Sequence, residues 1–192
     1  MGASLVGIDK SNQNGMNFTG MLKNYFNSDT KWDIMMNNTA PEVALLGGGY
    51  GRDWWYDVYP NVMFYAIYEQ KKKKKDFDWI AKSIDEKFYK ADSILNGNYN
   101  YSYFDYGQMK PMKNQICLQQ DAAAGHAWVL YAAYKKFGDK RYLKGAISAM
   151  TALESNTINP TYELLMPFGA YLAARMNVEE GTKFDVHKLL GW

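Results

Sequence analysis

The densest chemistry in the chain is Arg52-Asp53-Trp54-Trp55-Tyr56-Asp57-Val58-Tyr59, where two carboxylates and a guanidinium sit among four aromatic rings. A sugar ring presents apolar C–H faces that stack on Trp and Tyr, and hydroxyls that take carboxylate or amide partners. This segment offers both. The structural alternative is that Asp57 only caps a helix while Trp54 and Trp55 only fill a core. A second cluster is Gln119-Gln120-Asp121, with His126 five residues on, in an otherwise apolar run. Inward-facing members there must be paired or must line a cavity. Asp121 could then act as a general acid or base with a pKa raised by burial. For His126 a satisfied inter-helix hydrogen bond is the simpler reading. A third candidate is Glu163, beside Tyr162, where interaction with a helix dipole is an equal alternative.

Glycosidic hydrolysis generally uses two carboxyls, roughly 5–5.5 Å apart for retention or 6.5–9.5 Å for inversion. Asp53 or Asp57 paired with Asp121 or Glu163 would supply them. Arg52, Trp54, Trp55, Tyr56, Tyr59, Tyr106, Gln119, Gln120 and His126 would bind the substrate. Lyase chemistry would lean instead on His126, Tyr106 and Arg52.

Composition narrows the field. The chain has 192 residues, a net charge of +2 and a single cysteine, Cys117. That length suits one domain spanning 1–192. One cysteine excludes an internal disulfide framework and a Cys-based zinc cluster. The small net charge argues against electrostatically driven nucleic-acid binding. The longest apolar stretches fall short of the roughly 20 residues a membrane span needs. Gly47-Gly48-Gly49-Tyr50-Gly51 lacks the Lys-Ser/Thr of a phosphate loop, and Lys71 to Lys75 reads as a solvated turn. Three sequons, at Asn17, Asn37 and Asn100, arise easily in an Asn-rich chain. No motif calls for a metal or other cofactor. The aromatic load stands out, with 16 Tyr, 9 Phe and 6 Trp.

The elements that must position these residues are helical. After an irregular lead-in over 1–16, Phe18, Met21, Leu22 and Tyr25 fall at helix spacing within 17–26. Residues 30–46 fit either a short helix or a buried loop. The segment 57–70 is apolar almost all round, with Pro60 placed in its first turn. A striped helix over 76–95 follows, with Phe77, Ile80, Ala81, Ile84, Phe88, Ala91 and Leu95 inward and Lys82, Asp85, Glu86 and Lys90 outward. Residues 96–113 read as a loop. Next, 115–137 is again apolar nearly all round and closes at Gly138. Asp139 then caps a striped helix carrying Leu143, Ala146, Ile147, Met150 and Leu153. A third all-apolar helix over 162–176 ends at Gly181, and 184–192 begins another amphipathic one. All-apolar helices must be buried all round and striped ones must have a wet face, so their alternation predicts an inner and an outer layer joined as hairpins. No strand pattern competes.

Ala133-Tyr134-Lys135-Lys136-Phe137-Gly138-Asp139-Lys140-Arg141-Tyr142-Leu143-Lys144-Gly145-Ala146 resembles the hairpin turn of six-hairpin, (α/α)6-toroid carbohydrate-active proteins. There an A-Y-x-x-x-G-D-x-x-Y-L-x-x-A pattern joins an inner helix to the next outer one. Pro167-Phe168-Gly169-Ala170-Tyr171-Leu172-Ala173-Ala174-Arg175-Met176-Asn177 resembles another inner helix of that architecture. The likeness covers about residues 50–192. It is more specific for architecture than for activity, since lanthionine-cyclase-like and prenyltransferase toroids carry similar turns. It implies an all-α fold, about half of a closed six-hairpin barrel, whose remainder would be a partner if the chain is a fragment. It also implies an active-site funnel at the N-terminal ends of the inner helices. The expected function is glycoside hydrolysis of a poly- or oligosaccharide in a bacterial protein. A non-catalytic module binding glycan or protein, and a polysaccharide lyase, are the alternatives. The expected location is periplasmic or secreted, with no signal peptide in the chain.

Overall fold

A computed structural model describes residues 3, 6–27, 32–36, 53–69, 75–115, 117–160 and 164–192. It is mostly helical. A 3-10 helix, Gly20–Tyr25, leads into strands β1 (Phe26–Asn27) and β2 (Ile34–Met35). Then come α1 (Trp54–Tyr68), α2 (Lys75–Leu95), β3 (Tyr103–Asp105), β4 (Lys110–Met112), α3 (Ala122–Phe137), α4 (Lys140–Glu154), α5 (Leu165–Glu180) and the short α6 (Val186–Leu190). The strands form two antiparallel pairs, β1 with β2 and β3 with β4. They correct the expectation of no strands. Pairs of two or three residues are too short for alternation to register in a sequence.

The helices pack around α3. Helix α3 packs against α1, α2, α4 and α5, while α2 and α4 touch each other on its outer side. Its small residues allow this, since Ala122, Ala123, Ala124, Gly125, Ala127 and Ala133 are all buried. Helices α1, α3 and α5 start at the same end. Near the beginning of α3, Gly125 faces Val58 of α1 and Leu165, the first residue of α5. Gly169 of α5 meets Ala124, and Gly145 of α4 meets Leu130. At each of these crossings the missing side chain is what lets two helices approach.

Only α3 is enclosed as the all-apolar pattern implied. Along α5 and its N-cap the exposed positions are Leu164, Pro167, Tyr171, Ala174, Val178 and Glu179, with Tyr171 at 58% and Val178 at 86%. Helix α1 leaves Trp55, Tyr56, Tyr59, Met63 and Ile67 half-buried. These helices flank α3, so each has an inner neighbour on one side only.

Other boundaries shift for local reasons. Helix α1 begins at Trp54, so Asp53 rather than Asp57 holds the N-cap position and Pro60 lies inside the helix. Residue 115 and residues 117–121 are not helical, and α3 starts at Ala122. Phe18, Met21 and Tyr25 have helix spacing, yet they sit on or beside the 3-10 helix and are exposed. The turn between α3 and α4 matches its reading: Gly138 is left-handed at φ 73° and its N–H donates to Tyr134 O at 2.8 Å. Asp139 accepts from Arg141 N at 2.9 Å.

Asp85 is the main departure on the outer layer. It is fully buried rather than solvent-facing, and Tyr65 O–H donates to its Oδ1. Similar tyrosine–carboxylate bonds recur between elements. Tyr68 reaches Asp78, Tyr99 reaches Asp92 at 2.9 Å, Tyr142 reaches Glu86 at 2.7 Å, and Tyr131 reaches Glu179 and Glu180. Much of the tyrosine surplus therefore ties one element to the next, because a Tyr ring can fill a core while its hydroxyl reaches a carboxylate.

The segment around Met35, undecided in sequence, is held by buried Asn61. Its Oδ1 accepts from Met35 N at 2.9 Å, and its Nδ2 donates to Met35 O at 3.0 Å and Asp57 O at 2.7 Å. Asn61→Ala leaves both polar groups of Met35 unpaired beside the core. We expect urea unfolding to show a loss of about 3 kcal/mol. A loss no larger than that of a typical surface substitution would mean β2 is held by something else.

Candidate functional site

The common N-terminal end of α1, α3 and α5 carries the polar cluster. Asp53 occupies the N-cap of α1, but its side chain makes no capping bond. Gln119, on the approach to α3, takes over that role. Its Oε1 accepts from Trp55 N at 3.0 Å, and its Nε2 donates to Asp53 Oδ1 at 2.9 Å. Gln119 is buried at 2% exposure and Asp53 is partly open to solvent, so a fixed amide holds an accessible carboxylate. Burial raises the Asp53 pKa above the ordinary carboxylate value, opposed by the Gln119 bond.

Beneath it the chemistry is buried. Asp57 is 1% exposed, and its Oδ2 has no hydrogen-bond partner among the described residues. Burial first, and then the charges of Asp105 and Asp53, push its pKa well above the usual range. Asp105 accepts from Gln108 N at 2.8 Å and from its Nε2 at 3.0 Å. Trp54 Nε1–H donates to Tyr106 Oη at 3.2 Å, and that hydroxyl lies 2.7 Å from His126 Nε2. Trp54, Tyr106 and His126 are all fully buried. Rings of Trp54, Phe88, Tyr99 and Tyr106 surround the imidazole, whose pKa burial lowers to about 3. His126 is thus a neutral core histidine paired across elements.

The predicted residues divide accordingly. Asp53, Trp55, Tyr56, Tyr59 and Gln120 reach the surface, with Gln120 beside Asn100 at 3.1 Å. Gln119 supports them from below. Trp54, Asp57, Tyr106, Asp121 and His126 lie in the interior. Arg52, Glu163, the glycines 47–51 and lysines 71–74 lie outside the described residues. Among the described residues, no cluster of three His, Cys, Asp or Glu side chains could hold a metal ion. No helix there is long and apolar enough to cross a membrane. A surface depression of about 290 Å³ is lined by Asn96, Gly97, Ser148, Thr151, Ala152 and Ser155 in the outer layer. None of the predicted residues lines it.

Sequence reasoning missed a set of rings that continues from the cluster. The Trp55 ring stacks on Tyr56 at 3.9 Å and meets Tyr59 at 6.3 Å. Tyr59 meets Phe168 of α5 at 6.0 Å, Phe168 meets Trp128 of α3 at 5.1 Å, and Trp128 meets Tyr171 at 5.7 Å. All of these rings are at least partly exposed. The available signal was Trp128 itself, the one bulky indole in a helix start built from Ala and Gly. No protein-family model, curated protein or solved structure matches the chain.

Proposed function

We propose that the chain is a carbohydrate-binding helical-hairpin domain, built as an open α/α toroid, that takes a sugar ring at the Trp55–Tyr56–Asp53 corner. The observation that carries this reading is one accessible carboxylate, fixed by a buried amide, beside a stacked pair of half-buried rings. The rings would receive the apolar face of a pyranose, and Asp53 would accept from its hydroxyls. Buried Gln119 holds the carboxylate in place, so little ordering cost remains at binding.

Glycoside hydrolysis is the second reading, and the raised pKa of Asp53 favours it. A carboxyl that retains its proton nearer neutrality suits a general acid. Its partner would be Glu163, since Asp57 and Asp121 are closed off from solvent.

A glycan array followed by product analysis tests both. Binding to at least one glycan is expected, and Trp55→Ala should weaken it about tenfold. Asp53→Asn should weaken binding too, and should abolish product if hydrolysis occurs. No binding to any glycan, or unchanged binding by both variants, would rule the reading out.

A further inference from the structure

We propose that the ligand is a neutral, linear polysaccharide lying in extended form along the lane Trp55–Tyr59–Phe168–Trp128–Tyr171; this rests on the glycan reading above and specifies its ligand. Successive rings of the lane are 5.1–6.3 Å apart, centroid to centroid, and bridge α1, α5 and α3 without a break. Each ring is mounted on a helix, so the spacing is fixed by helix packing and not by loops.

The polar tips of the lane select a sugar over an apolar helix. Trp55 Nε1, Trp128 Nε1, Tyr59 Oη and Tyr171 Oη have no hydrogen-bond partner among the described residues. Tyr65, Tyr68, Tyr99, Tyr106, Tyr131, Tyr142 and Trp54 contrast with them, because each has its polar tip hydrogen-bonded. An apolar protein surface laid over the lane would strand four donors, whereas sugar hydroxyls would satisfy them. Charge at the two ends favours a neutral chain. Asp53 lies at one end with Asp105 nearby, so a uronate or sulfate there would meet like charge. At the other end the Arg175 guanidinium is engaged by Glu179 at 2.8 Å.

The test is calorimetric titration with neutral gluco-, manno-, xylo- and galacto-oligosaccharides, from disaccharide to hexasaccharide, together with an oligogalacturonate series. In at least one neutral series the hexasaccharide should bind about tenfold more tightly than the disaccharide. Tyr171→Ala should remove that gain and leave disaccharide affinity intact, and Tyr171→Phe should keep part of it. Tyr171 is 58% exposed, so neither change threatens the fold. Disaccharide and hexasaccharide binding equally, or Tyr171→Ala leaving the hexasaccharide unaffected, overturns the lane but leaves the glycan reading standing. Tighter binding of the uronate series overturns the neutral assignment. No binding in any series overturns both.

Discussion

Gly125→Ala is expected to destabilise the protein by about 3 kcal/mol and to weaken ligand binding with it. A Cβ at this position would sit 2.1 Å from Val58 Cγ1 and 3.2 Å from Leu165 Cδ2. Val58 is stiff at χ1 and fully buried, so it cannot swing aside. The added methyl must therefore part α1 and α5 from α3, and those three helices mount the aromatic lane. Alanine's higher helix propensity offsets only about 1 kcal/mol of this cost. The measurement is urea unfolding of the single variants and of the Val58→Ala/Gly125→Ala double variant. Removing the Val58 methyls makes room for the new one, so the double variant should be more stable than the two single losses sum to. Strict additivity would show that the two residues do not meet.

Asp85→Asn is expected to stabilise the protein above pH 8, on the order of 3 kcal/mol. Burial, only partly opposed by the Tyr65 hydrogen bond, raises the folded pKa of Asp85 from 3.8 to about 8. A group whose folded pKa lies above its unfolded value binds its proton more tightly when folded. Its stabilisation is present at low pH and is lost as pH rises from about 4 to about 8. Asp92, raised to about 6, adds the same sign over a narrower window. His126 runs the other way: its folded pKa, about 3, is below the ordinary 6.5, so stability falls as pH drops through that interval. Between about pH 6.5 and 8, where His126 no longer offsets it, melting temperature should fall as pH rises, and Asp85→Asn should flatten that fall, since Asn is neutral at every pH and can still accept from Tyr65. Below about pH 6.5 the variant should show more of the acid decline owed to His126, because Asp85 no longer offsets it. A fall toward pH 8 unchanged in Asp85→Asn would mean that residue 85 does not titrate in the fold.

The helices were legible because small and large apolar residues are placed where helix period requires. Ile80, Ala81, Ile84, Phe88, Ala91 and Leu95 form one buried stripe of α2, and Gly138-Asp139 marks the turn that follows α3. Asp85 was misread because polarity outweighed position. It lies four residues after Ala81, on the buried side, and its partner Tyr65 is on another helix. The Asp53–Gln119 pair was legible only as two separate clusters, since the contact spans 66 residues of chain. Tyr106 read as substrate-binding but packs inward, with Tyr99 and Phe104 beside it around Trp54 and His126. Which rings face outward depends on which helices flank α3, and periodicity within a single helix does not contain that.

The central claim is that sugar lies on the face carrying Trp55 and Trp128. Its most direct test is a ¹H–¹⁵N NMR titration of the indole Nε1–H resonances with a neutral hexasaccharide. The chain has 6 tryptophans, and Trp32 and Trp54 are buried while Trp79 is exposed on α2. The resonances of Trp55 and Trp128 should shift together along one binding curve, with those of Trp32, Trp54 and Trp79 unmoved. A saturable shift confined to Trp79 or Trp192, or no indole shift under saturating glycan, would contradict the account.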